Sequence, residues 1–283
     1  MRVLPDPAPS AGAASARWSD LRARVISAVI LGPLVILGIW WGGVPYAAML
    51  MAAALGLGWE WVALCGAVAP GLPGALMLMS IGAAACCTIL GEAPAGLALL
   101  ALGTVATGVA GREMAHARAF AAGVPYIGLG VVSLIWLRAD GAVGLTNLMF
   151  VLLLVWSSDI GAYCVGRFVG GPKLAPSISP GKTWSGAAGG LLGALGAAWA
   201  VAAAFPAGGS MGRVGVIAVV LGVTSQAGDL LESQIKRHFG VKDSSRIIPG
   251  HGGLLDRLDA LLLAAQVAAV LALMAGRGVK IWQ

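Results

Sequence analysis

The chain is 283 residues long, 59% hydrophobic and 11% charged, with a formal net charge of +6 carried mostly by arginine. Soluble domains carry roughly 25% charged residues, so this composition, with a mean hydropathy of +0.89, excludes an ordinary soluble domain. It specifies an all-α, polytopic membrane protein, whose backbone polar groups must be satisfied within helices.

The predicted elements begin with a Pro/Ala/Ser-rich head over residues 1–18, read as disordered. A single transmembrane domain is expected over 19–283. No cleavable leader is expected, because the first apolar run, 25–41, lacks a small-x-small end. Further apolar runs fall at 44–63, 74–90, 95–110, 121–137, 143–165, 183–204, 214–230 and 254–275. A crossing needs ~20 apolar residues, and several runs are near the short limit, which gives eight or nine spans.

Basic residues gather before the first span (Arg17, Arg22, Arg24) and at 112–118, 167–182 and 236–257. With nine spans all four clusters share one side, which the positive-inside rule makes cytoplasmic. Arg138, Arg213, Arg277 and Lys280 fall on the other side. Such loops suit anionic lipid better than nucleic acid, which would call for one basic soluble face. Cys65, Cys86, Cys87 and Cys164 lie in or beside apolar runs without C-x-x-C spacing, so neither a disulfide framework nor a zinc site is indicated. Trp40, Trp41, Trp59, Trp61 and Trp184 lie near span ends and fit an interfacial belt. Glu60 is an intramembrane acid with no evident partner, read as a proton or packing site. His116 and His238 read as solvated.

Three constellations carry chemistry. The first is Ser157-Ser158-Asp159 with Tyr163, then Gly166-Arg167 and Ser179-Pro180-Gly181-Lys182-Thr183-Trp184. Asp159 sits inside an apolar span and is a functional candidate by default. Gly181-Lys182-Thr183 is no P-loop, since Pro176 stands where the first glycine belongs and no strand precedes it. Ser179 is expected to cap, and Pro180 to open, the next span, leaving backbone N–H groups aimed at a ligand. Lys182 and Thr183 would help hold phosphates. Gly186, Gly189, Gly190, Gly193 and Gly196 allow close helix contact, within the chain or across a dimer.

The second is Gln226, Gly228, Asp229, Glu232, Ser233, Lys236 and Arg237. Positions 229, 232, 233 and 236 share one helical stripe, so Asp229 and Ser233 can reach one ion. The blander alternative is a solvated helix end with i,i+4 pairs. The third is Lys242-Asp243, Pro249-Gly250-His251-Gly252-Gly253, then Asp256, Arg257 and Asp259. The two acids open the last span on one face. Helix capping favours Asp there anyway, but two acids with an arginine exceed a cap, and carboxylate oxygens with phosphates are what Mg²⁺ prefers. His251 is a general base or a positioning group.

The pattern Ser233-x-Ile235-Lys236-Arg237, Lys242-Asp243, Pro249-x-His251-Gly252-Gly253, Asp256-Arg257-x-Asp259 resembles the hallmark of the phosphatidate cytidylyltransferases, also called CDP-diacylglycerol synthases. Asp159 with Ala162-Tyr163, Ser179-Pro180 with Lys182-Thr183-Trp184, and Gln226 with Gly228-Asp229 match too, so the likeness is strongest over 157–259. Ser185 departs from it, standing where the family often has an acid.

The resemblance implies transfer of CMP from CTP to phosphatidate at the cell membrane, with the site facing the cytoplasm. It implies Mg²⁺, with a second cation beside it, held by Asp229 and Asp256. Ser233, Lys236, Arg237, Arg257 and Asp259 would complete the catalytic set; Asp159, Ser179, Lys182, Thr183, Lys242 and His251 would bind substrate. A CTP-dependent polyprenol or lipid kinase, an ion-coupled transporter and an intramembrane serine hydrolase are the competing readings. Against the last two stand charges gathered at one membrane side and the missing G-x-S-x-G elbow.

Overall fold

Each apolar run becomes a helix because, in hydrocarbon, only a helix pairs every backbone N–H and C=O within one segment. The computed structural model describes residues 29–66, 71–114, 116–206, 208–245, 247–248 and 252–283. The head, Arg17, Arg22, Arg24, Pro249 and His251 lie outside the described residues.

The order is α1 (Val29–Trp41), α2 (Gly43–Leu64), α3 (Gly71–Ile89), α4 (Ala93–Ala110), α5 (Ala117–Ala139) and α6 (Gly144–Val169). A hairpin of β1 (Lys173–Ala175) and β2 (Ser179–Thr183) follows, then α7 (Trp184–Ala204), α8 (Met211–His238) and α9 (Leu255–Ala275). Among the described residues, α2 to α9 are the eight helices long and apolar enough to cross a membrane, and α1 is shorter. The observed bounds stay within a few residues of the apolar runs at most ends; α8 extends furthest, carrying its polar stripe past the apolar part to His238.

The hairpin is the main departure from the sequence reading. Ser179 and Pro180 do not open α7; they lie in β2, antiparallel to β1, with Ala175 opposite Ser179 and Lys173 opposite Thr183. Among the described residues β2 has only this one neighbour, so the missing N–H of Pro180 is tolerated on an edge. Thr183 is the cap instead: its backbone is extended and its hydroxyl accepts from Gly186 N at 3.1 Å.

α6 and α7 pack closely along their glycines. A Cβ added to Gly161 would come within 2.5 Å of Gly189 O, and one on Gly193 would enter the Ser157 carbonyl. The glycine stripe up to Gly193 is thus used inside the chain; Gly196 alone faces open space. Trp40, Trp41, Trp59 and Trp184 are exposed, as a belt requires, but Trp61 is 2% exposed. It leaves the expected belt because its indole N–H donates to Ala119 O at 2.9 Å and its ring meets Tyr126 at 5.4 Å.

The two ends of the bundle differ. At one end His116, before α5, packs edge-on against Phe239, after α8 (5.1 Å), and Arg237 reaches Ile178 O in the hairpin (3.3 Å). Three of the four basic clusters therefore meet there. At the other, Arg138 Nε donates to Ile39 O (2.7 Å), closing the end of α1, and Lys280 Nζ donates to Phe205 O (2.9 Å). All four cysteines are free thiols.

Candidate active site

α8 carries the site. Its polar stripe starts at Asp229 and ends at Lys236, seven residues or about 10 Å along the axis. The upper part opens on a cavity of about 500 Å³ between α6, the hairpin, α7 and α8, lined by Asp159, Lys182, Thr183, Gln226 and Asp229 among others. Lys182 Nζ stands 2.6 Å from Asp229 Oδ2. The pair lines the cavity, with the Lys182 side chain 26% and Asp229 36% exposed while Lys182 Nζ itself is buried. The hairpin is what carries the lysine to α8: a helix begun at Pro180 would have pointed it elsewhere. Gln226 Nε2 donates to Ala187 O at 3.0 Å and fixes α8 against α7.

The lower part is nearly closed. Lys236 Nζ lies 2.6 Å from Glu232 Oε2 and 2.7 Å from Asp256 Oδ1. Glu232 is 1% exposed, and burial of a carboxylate demands a partner; Lys236 supplies it. The i,i+4 pair of the blander reading therefore exists, but it is buried and shared with α9 rather than solvated. Asp256, in the first turn of α9, holds the preceding loop: Oδ2 accepts from Gly253 N (2.8 Å), Ser244 N (3.1 Å) and Ser244 Oγ (3.1 Å).

Glu60 was expected to lack a partner, and the structure corrects this. Its carboxylate is fully buried. Oε1 accepts from Ser245 Oγ (2.6 Å) and Leu254 N (2.7 Å); Oε2 accepts from Leu255 N (2.7 Å) and Ser244 Oγ (3.1 Å). It satisfies the start of α9, where Leu254 supplies no side-chain cap. Ser244 and Ser245 were the other residues sequence reasoning passed over.

The remaining candidates fall as follows. Asp229 and Asp256, expected together to hold Mg²⁺ and a second cation, are each paired with a different lysine, Lys182 and Lys236. Ser233 is half-buried on α8 and Asp259 is buried on α9; Lys242 and Arg257 are exposed. Arg237 donates to Ile178 O and Val241 O, so it ties the hairpin to the end of α8. Ser179 belongs to the hairpin. The N–H groups of Trp184 and Gly186, expected to face a ligand, donate to Pro172 O and Thr183 Oγ1 instead. Ser185 donates to Gly170 O and lies 3.0 Å from Thr183 Oγ1, closing the base of the hairpin onto the end of α6. Among the described residues no three His, Cys, Asp or Glu side chains converge as a ready metal cage.

Bundle and cavity together define a multi-pass membrane protein whose pocket carries Arg167 and the Lys182–Asp229 pair in its wall, charges that suit a phosphorylated ligand and its counter-ions. A family model described as the cytidylyltransferase family matches residues 22–275. The chain belongs to that family. It is 40% identical over 258 residues to the phosphatidate cytidylyltransferase of Brucella suis biovar 1 (strain 1330), covering 87% of this chain and 91% of that protein. It is 40% identical over 148 residues to the phosphatidate cytidylyltransferase of Staphylococcus saprophyticus, covering 52% of this chain and 56% of that one.

Proposed function

We propose that the protein is a phosphatidate cytidylyltransferase, converting CTP and phosphatidate to CDP-diacylglycerol and pyrophosphate. The observation that carries this reading, beside the family, is the Lys182–Asp229 pair in the wall of a cavity of about 500 Å³ between membrane-crossing helices. Diacyl tails can stay in hydrocarbon while phosphates enter a polar hollow.

In the proposed step a phosphate oxygen of phosphatidate attacks the α-phosphorus of CTP. A new P–O bond forms, the bond to the bridging α–β oxygen breaks, and pyrophosphate leaves with that electron pair. The nucleophile is already an anion, so no general base is needed. What the chain must supply is alignment and positive charge. Lys182 and Lys236 supply charge, and the hairpin sets the position of the first.

Mg²⁺ fits this donor set. Asp229 and Asp256 each hold an ammonium group at 2.6–2.7 Å, so both carboxylates already favour a cation, and Mg²⁺ characteristically takes one or two carboxylates with substrate phosphates. Asp229 would hold it at the cavity that Asp159 also lines, and Asp256 would hold a second cation beside Lys236. When bound, it would neutralise phosphate charge and orient the leaving group. The basic end of the bundle faces the cytoplasm of the cell membrane in this account, by the positive-inside rule.

The test is product analysis with the purified full-length protein, phosphatidate, Mg²⁺ and CTP labelled at the α-phosphorus. Labelled lipid with equimolar pyrophosphate is the expected result. Label left in CDP, with phosphate passed to a lipid alcohol, would make it a kinase; liposome flux without CTP turnover would make it a transporter.

A further inference from the structure

Helix α2 takes no part in the cavity, yet it sends one charged side chain into the site's foundation. Glu60 is completely buried, and four donors fill its two oxygens: two hydroxyls and the two backbone N–H groups that begin α9. A carboxylate has about four lone-pair directions, so none is left for water. Ser244 Oγ is also 3.1 Å from Asp256 Oδ2. A hydroxyl carries one proton, so it donates to one carboxylate at a time and holds the two at a fixed separation. The contact requires Gly253: a Cβ there would lie 2.8 Å from both Glu60 oxygens and closer still to Ser244 Oγ. Asp256 then presents Oδ1 to Lys236.

From this we infer that Glu60 is a positioning residue for the reaction. Through Ser244 and the first N–H groups of α9 it fixes Asp256, and with it Lys236, in the orientation the transfer step requires. This rests on the cytidylyl-transfer reading but is not contained in it: a solely structural buried acid would stabilise the bundle without setting the rate of chemistry.

The experiment compares wild type, E60Q, S244A and the double variant in full-length protein. Steady-state kinetics with CTP and phosphatidate are combined with hydrogen exchange of the segment around Leu254 and Leu255. E60Q keeps the shape but sets an amide N–H₂ against donors. Misplacement remote from the reacting atoms can cost about a hundredfold, and a kcat loss of that order is expected in E60Q, with KM for CTP within roughly threefold of wild type. Exchange around Leu254 and Leu255 should quicken. S244A, a small change that preserves three of the donors to Glu60, should lower kcat in the same direction, and the double variant should lose no more than E60Q alone, since both act on one tie. Wild-type kcat in E60Q or S244A, or losses that multiply in the double variant, would overturn the inference. If E60Q does not accumulate, S244A decides by the same readings. A wild type that turns over no CTP would sink the function itself; unchanged exchange in E60Q would sink the clamp whatever the activity.

Discussion

Glu60 on α2 and Asp256 on α9 face each other across a single hydroxyl, Ser244 Oγ, at 3.1 Å from each. Asp256 in turn holds Lys236 at 2.7 Å, and Lys236 holds Glu232 at 2.6 Å. Four ionisable side chains from three helices thus form one connected network at the end of the bundle where the hairpin also docks. Lys236 is the ion-pair partner that Asp256 and Glu232 share, so the parts of the network should respond together to substitution.

Lys182 is the one cation that the hairpin delivers to the cavity pair with Asp229. K182M should leave the bundle folded, because the pair is partly exposed. It should lower kcat/KM for CTP by about 10²-fold, the scale of losing one charge-stabilising group. Wild-type kinetics in K182M would remove the hairpin from the site.

Lys236 is different, because it neutralises two buried carboxylates. K236M should abolish turnover and also destabilise the protein by roughly 3–5 kcal/mol, the cost of leaving buried charge unpaired. Adding E232Q should recover part of the stability and none of the activity. Thermal unfolding of both variants in detergent is the check, and an unshifted midpoint in K236M would show that the network contributes nothing.

The α6–α7 contact predicts a contrast between two glycines three residues apart. G193A drives a methyl group into the Ser157 carbonyl and should cost about 1–3 kcal/mol of stability. G196A meets nothing within 4 Å and should leave the unfolding midpoint unchanged. Equal midpoints would mean the two helices are not packed through this stripe.

The proposed role of the carboxylates makes the reaction depend on a divalent cation, which is open to test. Chelation of divalent cations should stop lipid labelling, and Mg²⁺ should restore it. Turnover that persists in excess chelator would leave Asp229 and Asp256 as partners of lysines alone.

Much of this architecture can be read from the chain. The helices are legible because hydropathy alone decides them, and α8 and α9 were recognisable as the polar-ended pair. What stayed hidden depends on contacts distant in sequence. Glu60 meets Leu254 across 194 positions, and nothing near Trp59 or Trp61 signals it. Trp61 turned inward for the same reason, because its partner Ala119 lies on another helix. The hairpin was misread because Ser-Pro followed by an apolar run is also a good helix opening; the pairing with Lys173–Ala175 won, and Thr183 took over as cap.

The measurement that bears most directly on the account is the rate of CDP-diacylglycerol formation by D229N and D256N, in protein shown by thermal unfolding to remain folded. Neither variant should make the lipid at a detectable rate, since each removes a negative charge that the proposed Mg²⁺–triphosphate complex requires. Rates near wild type in both would contradict the assignment of the reaction to the facing ends of α8 and α9.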